Sequence, residues 1–351
     1  MKVCILGDGL TSLTLAKALV NEGIYVDIVT NKKKKSYDKI RTIGVSKSNI
    51  EFFNTNILDI RKLLWDINKI EIFTDNFKSE KLLNFEDNDK LFSIIKNYDL
   101  YNLLLLKLNK NKFFTFKKKI NYKNYKLIIN CDLGNEITKK IFHKKIMKNY
   151  ESYAHTALID HKEITKNHTA IQIFTKRGPI AFLPISKKQT SIVYSARGKK
   201  DVDLEILIKR FEARYKNVKI NKIHIFELKS SILRSYYYKN ILAFGDLLHK
   251  VHPLAGQGFN MSIRDIRELI KLIKFRIDHG LDLDNSICID FEKKIKHKNY
   301  LFFNGIDFIY EFFNLESKIK NPLLNKSIQI VGKNKIINKF FIKFANNGII
   351  Y

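Results

Sequence analysis

The sequence predicts an α/β fold. It opens on a Rossmann-like βαβ unit, carries an inserted antiparallel β-sheet and ends in a helical C-terminal tail. Three observations predict this. The chain begins with an apolar run, a glycine turn, a helical stretch and a second apolar run. From His168 to Ser195 the pattern changes to short strands broken by turn residues. A second strand–turn–helix between Ile241 and Ile277 concentrates constrained positions in one window.

In the opening unit, Val3-Cys4-Ile5-Leu6 reads as a buried strand and Gly7-Asp8-Gly9-Leu10-Thr11-Ser12 as the turn. Leu13 to Val20 starts a helix, Gly23 ends it, and Tyr25 to Val29 is the second strand. Gly7 allows the tight turn. Gly9 lets a pyrophosphate come close to the helix N-terminus, and Leu10, Thr11 and Ser12 of the turn are further candidate cofactor contacts. Ser12 stands where a third glycine is usual. Thr30 and Asn31 stand where an acidic residue for the adenosine ribose is expected.

The stretch that organises the chain is GDLLHKVHPLAGQGFNMSIRD, Gly245 to Asp265. It follows the apolar strand Ile241-Leu242-Ala243-Phe244. From Phe259 the apolar residues Ile263, Ile266, Ile270, Ile273 and Ile277 recur in steps of three and four, one face of an amphipathic helix. Pro253 fixes φ in the connecting turn, and Gly256 and Gly258 permit backbone that other residues resist. The helix N-terminus then offers unpaired N–H groups and a positive dipole end to an anionic or electron-rich ligand. His249 and His252 lie in a turn with no third ligand nearby, so no metal is expected.

The order GD-x-x-H-x-x-HP-x-x-GQGFN-x-x-x-RD resembles the flavin motif of FAD-dependent aromatic hydroxylases. More narrowly it is similar to the UbiH-type hydroxylases of ubiquinone biosynthesis. Leu247 and Leu248 replace two alanines of that pattern, and Ser262 a glycine. The resemblance implies FAD as cofactor. Asp246 would hydrogen-bond its ribityl chain, the backbone of Gly256, Gln257, Gly258, Phe259 and Asn260 would line the pyrimidine end of its ring, and Gly245 and Pro253 would also be cofactor-binding. Arg41-Thr42-Ile43-Gly44-Val45-Ser46 resembles the family's R-x-x-A-L-S segment. Arg41 is there either a phosphate-side contact or a solvated surface arginine.

Further resemblance is spread along the chain. Leu63-Leu64-Trp65 and Lys69 to Phe73 look like the family's helix end and first substrate-domain strand. Leu91 to Lys107 looks like the helix that returns to the flavin domain. Asn109 to Lys126 is shorter than usual, with Phe113-Phe114-Thr115-Phe116 as a strand remnant. Leu127 to Asp132 is a buried strand entering an acidic turn. The family has Asp-Gly here, on the flavin, while this chain has Asp132-Leu133-Gly134. The wording A-x-Q-x-F, GP-x-A-x-LP and S-x-V-x-S within Thr169 to Ser195 resembles the same hydroxylases, and Pro179, Pro184 and Pro253 fall on family positions. Leu204 to Tyr215 reads as a helix, Ile223 to Leu228 as a strand, and residues 286–351 as helices without a motif.

Composition bounds the rest. The chain has 351 residues, 45% of them hydrophobic, enough for two domains or one elaborate one. No apolar run is long enough to span a membrane. The N-terminus enters a strand directly, so a cytoplasmic protein without signal peptide is expected, at most peripheral to the inner membrane. Cys4, Cys131 and Cys288 are odd in number and far apart, which gives neither a disulfide framework nor a metal site. Cys4 and Cys131 read as buried strand residues. The net charge of +29 is scattered over the whole chain, so nucleic acid is not an expected partner, and loose attraction to an anionic bilayer is.

The expected arrangement is an FAD-binding domain from residues 1–60, 90–150 and 238–290, a substrate domain from 61–89 and 151–237, and a helical region at 291–351. The resemblance implies a monooxygenase that uses NADPH or NADH and O₂ to hydroxylate a prenylated phenol or quinone precursor. Two other readings stay open at this level: a flavin-binding assembly partner in a quinone-synthesis complex, and a flavin reductase on the same fold.

Overall fold

The structure is a computed structural model. It describes residues 1–30, 39–75, 81–87, 89–198, 201–212, 214–253 and 256–319. Asn31, the Leu254-Ala255 pair of the central motif and the expected tail beyond residue 319 lie outside the described residues.

Strand β1 (Lys2–Leu6) leads through Gly7 into helix α1 (Leu10–Asn21) and strand β2 (Tyr25–Val29). The helix begins three residues earlier than its apolar pattern suggests, because Gly9 already serves as its N-cap. Next come β3 (Thr42–Ser46), α2 (Lys47–Asn56), a 3₁₀ turn at Arg61–Leu63, β4 (Trp65–Ile67), β5 (Lys69–Thr74), β6 (Leu83–Glu86) and β7 (Phe92–Lys96). Helix α3 (Asn97–Asn109) follows, then β8 (Phe114–Lys117), β9 (Leu127–Asn130) and α4 (Glu136–Ile141). The sheet region runs β10 (Lys145–Asp160), β11 (Thr169–Thr175), β12 (Gly178–Pro184), β13 (Gln189–Arg197), α5 (Leu204–Phe211), β14 (Lys219–Ile220) and β15 (His224–Leu233). The described residues continue with β16 (Tyr237–Tyr238), β17 (Ile241–Ala243), β18 (His249–Lys250), α6 (Gln257–Asp278) and α7 (Asn285–Ile319). Two expectations change here. Leu91 to Lys107 is a strand followed by a helix rather than one helix. Trp65 starts a strand after a 3₁₀ turn rather than closing an α-helix.

The first sheet has the order β16-β17-β9-β1-β2-β8. Its pairs are parallel except the β16–β17 edge. Val3, Cys4 and Ile5 of β1 are fully buried, as strands covered on both faces require. The chain leaves β1 towards β2 on one side and later returns to β9 on the other. The crevice outside the carboxyl ends of β1 and β9 is therefore the topological switch point, where open α/β sheets bind ligands. The strand remnant at 113–116 proves to be β8, the far edge of this sheet.

The second sheet has the order β18-β15-β10-β13-β12-β11-β5-β6, with β14 added to β10. It is antiparallel apart from β11 on β5. Side chains alternate across its central strands. Ile173, Ile180, Phe182, Ile192 and Tyr194 pack with Leu204 and Ile208 of α5. Gln172, Ala181, Val193 and Ser195 face a cavity on the other side. β3, β7 and β4 form a third, small sheet. Among the described residues no helix is long and apolar enough to cross a membrane.

Candidate functional site

Two neighbourhoods gather the residues singled out in the sequence. The first lies at the switch point. A Cβ built on Gly7, whose φ is +96°, would stand 3.2 Å from the Asp132 Cβ, so the glycine turn and the acidic turn after β9 touch. Gly245, at φ +63°, follows β17, and a Cβ there would stand 2.9 Å from Thr11 Cγ2 of α1. Only a residue without a side chain allows this packing. Asp246 and Asp132 both add to the rise of the Cys131 thiol pKa to about 12. Burial is the main cause, and a hydrogen bond with Ser12 opposes it. Thus Gly7, Thr11, Ser12, Asp132, Gly245 and Asp246 meet outside three adjacent parallel strands. The Leu10 side chain instead packs on the main core.

The second neighbourhood is the start of α6. Gly256 is its N-cap at φ 63°. Asn260 locks this end to the segment at 42–49. Its Nδ2 donates to the Gly44 carbonyl at 2.9 Å, and its Oδ1 accepts from the Ser46 N–H at 3.0 Å and from Asn49 Nδ2 at 2.9 Å. Arg41, Pro253, Gly256, Gln257 and Asn260 line a cavity of about 240 Å³ walled on its far side by β11, β12 and β13. Arg41 is exposed, with its guanidinium 6.0 Å from the centre of the Phe226 ring. Phe259 does not line the cavity and packs against the main core instead. Gly258 sits within the helix, and a Cβ there would meet only Val251 Cγ2, at 3.8 Å. Its backbone therefore needs no glycine, contrary to the expectation from the motif.

Both helix ends suit an anionic or electron-rich group. Neither α1 nor α6 has a side-chain cap or an acidic residue in its first turn, whereas Asn135 caps α4 and Asp203 caps α5. A Cβ at Gly9 would meet nothing within 4 Å, leaving the backbone open to a close ligand.

A family model described as an FAD binding domain matches residues 188–278, from β13 to the end of α6. The ubiquinone biosynthesis monooxygenase COQ6 of Dictyostelium discoideum is 23% identical over 423 residues of alignment, covering 93% of this chain and 85% of that protein. The Schizosaccharomyces pombe COQ6 is 21% identical over 274 residues, 64% of this chain and 57% of that protein. The chain thus matches little more than half the length of that relative. Among solved structures, p-nitrophenol 4-monooxygenase PnpA from Pseudomonas putida DLL-E4 shares the fold, with a TM-score of 0.78 at 13% identity over 99% of this chain and 98% of that one.

The chain is similar to FAD-dependent monooxygenases, through one matched FAD binding domain segment, distant relatives and a shared fold.

Several features of this site escaped the motif. His249 and Asp265 are both motif letters, and they bind each other: the buried His249 Nε2 donates to Asp265 Oδ2 at 2.6 Å. Asn299 of α7 donates to the other carboxylate oxygen at 3.1 Å. The pair is a structural tie between β18, α6 and α7. His252 lines the cavity, and burial lowers its imidazole pKa to about 3, so it is neutral at physiological pH. It is enclosed by Tyr150, edge-on at 4.8 Å, and Tyr310 at 4.4 Å between ring centres. Asn49 carried no local signal at all, because its partner is 211 residues away.

Proposed function

We propose that this protein hydroxylates the aromatic ring of a prenylated phenol in ubiquinone biosynthesis, with FAD as cofactor, NADH or NADPH as reductant and O₂ as co-substrate. The observation that carries the reading is that the uncapped start of α6 and the inward faces of β11 to β13 wall one cavity. The names of the relatives in Dictyostelium discoideum and Schizosaccharomyces pombe support the pathway.

In this reading Gly7 to Ser12 and Asp132 hold the pyrophosphate half of FAD, Arg41 lies along it, and Asp246 binds the ribityl chain. The backbone from Gly256 to Asn260 faces the ring, where the helix dipole stabilises negative charge. Bound flavin supplies the reduction and oxygen chemistry. The chain's own part is orientation and dryness. Ala181, Leu183 and Val193 give the cavity an apolar wall, with Thr42, Ser191 and Ser195 as hydroxyls at its margin. Residues 1–60, 90–150 and 238–290 form the flavin part and 61–89 and 151–237 the substrate part. The positive charge of the chain favours peripheral contact with an anionic membrane, where such a substrate resides.

The test is oxygen uptake by purified, flavin-loaded protein with NADH or NADPH and a prenylated phenol. Uptake coupled to ring hydroxylation is expected. Flavin binding without substrate-dependent uptake would favour the assembly-partner reading. Asp246→Ala is expected to weaken FAD binding by about 1.5–3 kcal/mol, the range for a hydrogen bond to a charged group. Fluorescence titration of the apoprotein measures it, and an unchanged affinity would remove Asp246 from the site.

A further inference from the structure

Dinucleotide-binding βαβ units place a carboxylate at the end of their second strand, where it receives the ribose hydroxyls of the adenosine. Here β2 ends at Val29, and the residue that follows is Thr30. The acid inside that strand, Asp27, is committed elsewhere: it is buried, accepts from Tyr125 and is paired with Lys2 and Lys117.

The neighbouring loop brings another acid to that place. Asp8 stands between Gly7 and Gly9, in the turn from β1 to α1. Its Oδ2 accepts a hydrogen bond from the Thr30 hydroxyl at 3.0 Å, so its carboxylate lies against the end of β2. The backbone holds both partners. The Gly7 N–H donates to the Val29 carbonyl at 2.9 Å, fixing the loop on the end of β2, and the Thr30 N–H donates to the Lys117 carbonyl of β8 at 3.2 Å. Both side chains are half-buried, so the carboxylate is partly exposed. It does not cap α1, whose N-terminus stays free for a phosphate.

We propose that Asp8, oriented by Thr30, supplies the carboxylate for the adenosine ribose, replacing an acid at the end of β2. The ligand class is an adenine dinucleotide with a free 2′-hydroxyl. This rests on the FAD reading above and adds a residue that the resemblance does not name. The carboxylate reaches the ribose edge from β1, and Thr30 keeps it aimed.

The test compares FAD with FAD built on 2′-deoxyadenosine, each titrated into apoprotein by flavin fluorescence. The wild-type protein is expected to bind FAD about tenfold more tightly than the deoxy form, as one hydrogen bond to a charged group allows. Asp8→Asn should erase that preference, and Thr30→Val should reduce it. Equal binding of both ligands by the wild-type protein overturns the proposal, whatever the variants do. So does an Asp8→Asn protein that binds both more weakly but keeps the ratio, since that is damage to the loop and not loss of a ribose contact. If the wild-type protein takes up neither ligand, the FAD reading itself fails, and the proposal with it.

Discussion

Asp265→Ala should destabilise the protein by about 3–5 kcal/mol, the cost of breaking a buried ionic or hydrogen-bonded pair by removing one partner. Asp265 is 2% exposed and His249 1%. The carboxylate accepts from His249 on one oxygen and from Asn299 on the other, so its loss leaves two buried donors unsatisfied. The three residues come from β18, α6 and α7, so the carboxylate ties three elements together. Asp265→Asn keeps the shape and one acceptor, and its loss should be smaller, about 1–3 kcal/mol. Urea unfolding followed by circular dichroism measures both. A loss under about 1 kcal/mol for the alanine variant would mean that the pair does not tie these elements together.

That pair shows how much of the site could be read in advance. The motif was legible because its letters are crowded into one window, and so was the start of α6, because apolar residues from Phe259 to Ile277 repeat at helical spacing. The split of labour within the motif was not. His249 and Asp265 look like ligand-binding letters, and only the turn between them shows that they bind each other. The longest strand, β10, had no clear reading for a different reason. Its register slips between Asn149 and Tyr153, with Glu151 at a φ of 50°, so the alternation of period two changes phase midway. The cavity was legible only by halves. Strands β11 to β13 announce themselves by alternation, but nothing local in Gly44, Ser46 or Asn49 says that they clamp Asn260 more than 200 residues later. Asp8 was visible only as the middle letter of a glycine turn. Its hydrogen bond to Thr30 depends on two strands lying side by side.

Gly256 and Gly258 should respond to substitution in opposite ways, although the motif treats them as a pair. Gly256 has a left-handed φ of +63°, and a Cβ there would stand 3.3 Å from the Gly44 amide nitrogen and 3.5 Å from its Cα. Valine at this position meets both a disfavoured backbone and a strand that must move. Together these cost about 2–4 kcal/mol. Since Asn260 Nδ2 also bridges the carbonyls of Gly44 and Gly256, the start of α6 should shift with it. Gly256→Val is therefore expected to lose both stability and FAD uptake. Gly258 is helical and has room: a Cβ would touch only Val251 Cγ2, at an ordinary 3.8 Å. In the apoprotein Gly258→Ala should be neutral or stabilising by up to about 1 kcal/mol, from helix propensity. If the flavin ring lies against this turn, the added methyl meets the cofactor and not the protein. FAD affinity should then fall at least about tenfold, or 1.4 kcal/mol, while the unfolding midpoint of the apoprotein holds. Measuring both quantities on each variant separates backbone need from ligand contact. A Gly258→Ala protein with full stability and undiminished FAD affinity would place the ring away from this turn, and the substrate cavity assigned beside it would lose its flavin.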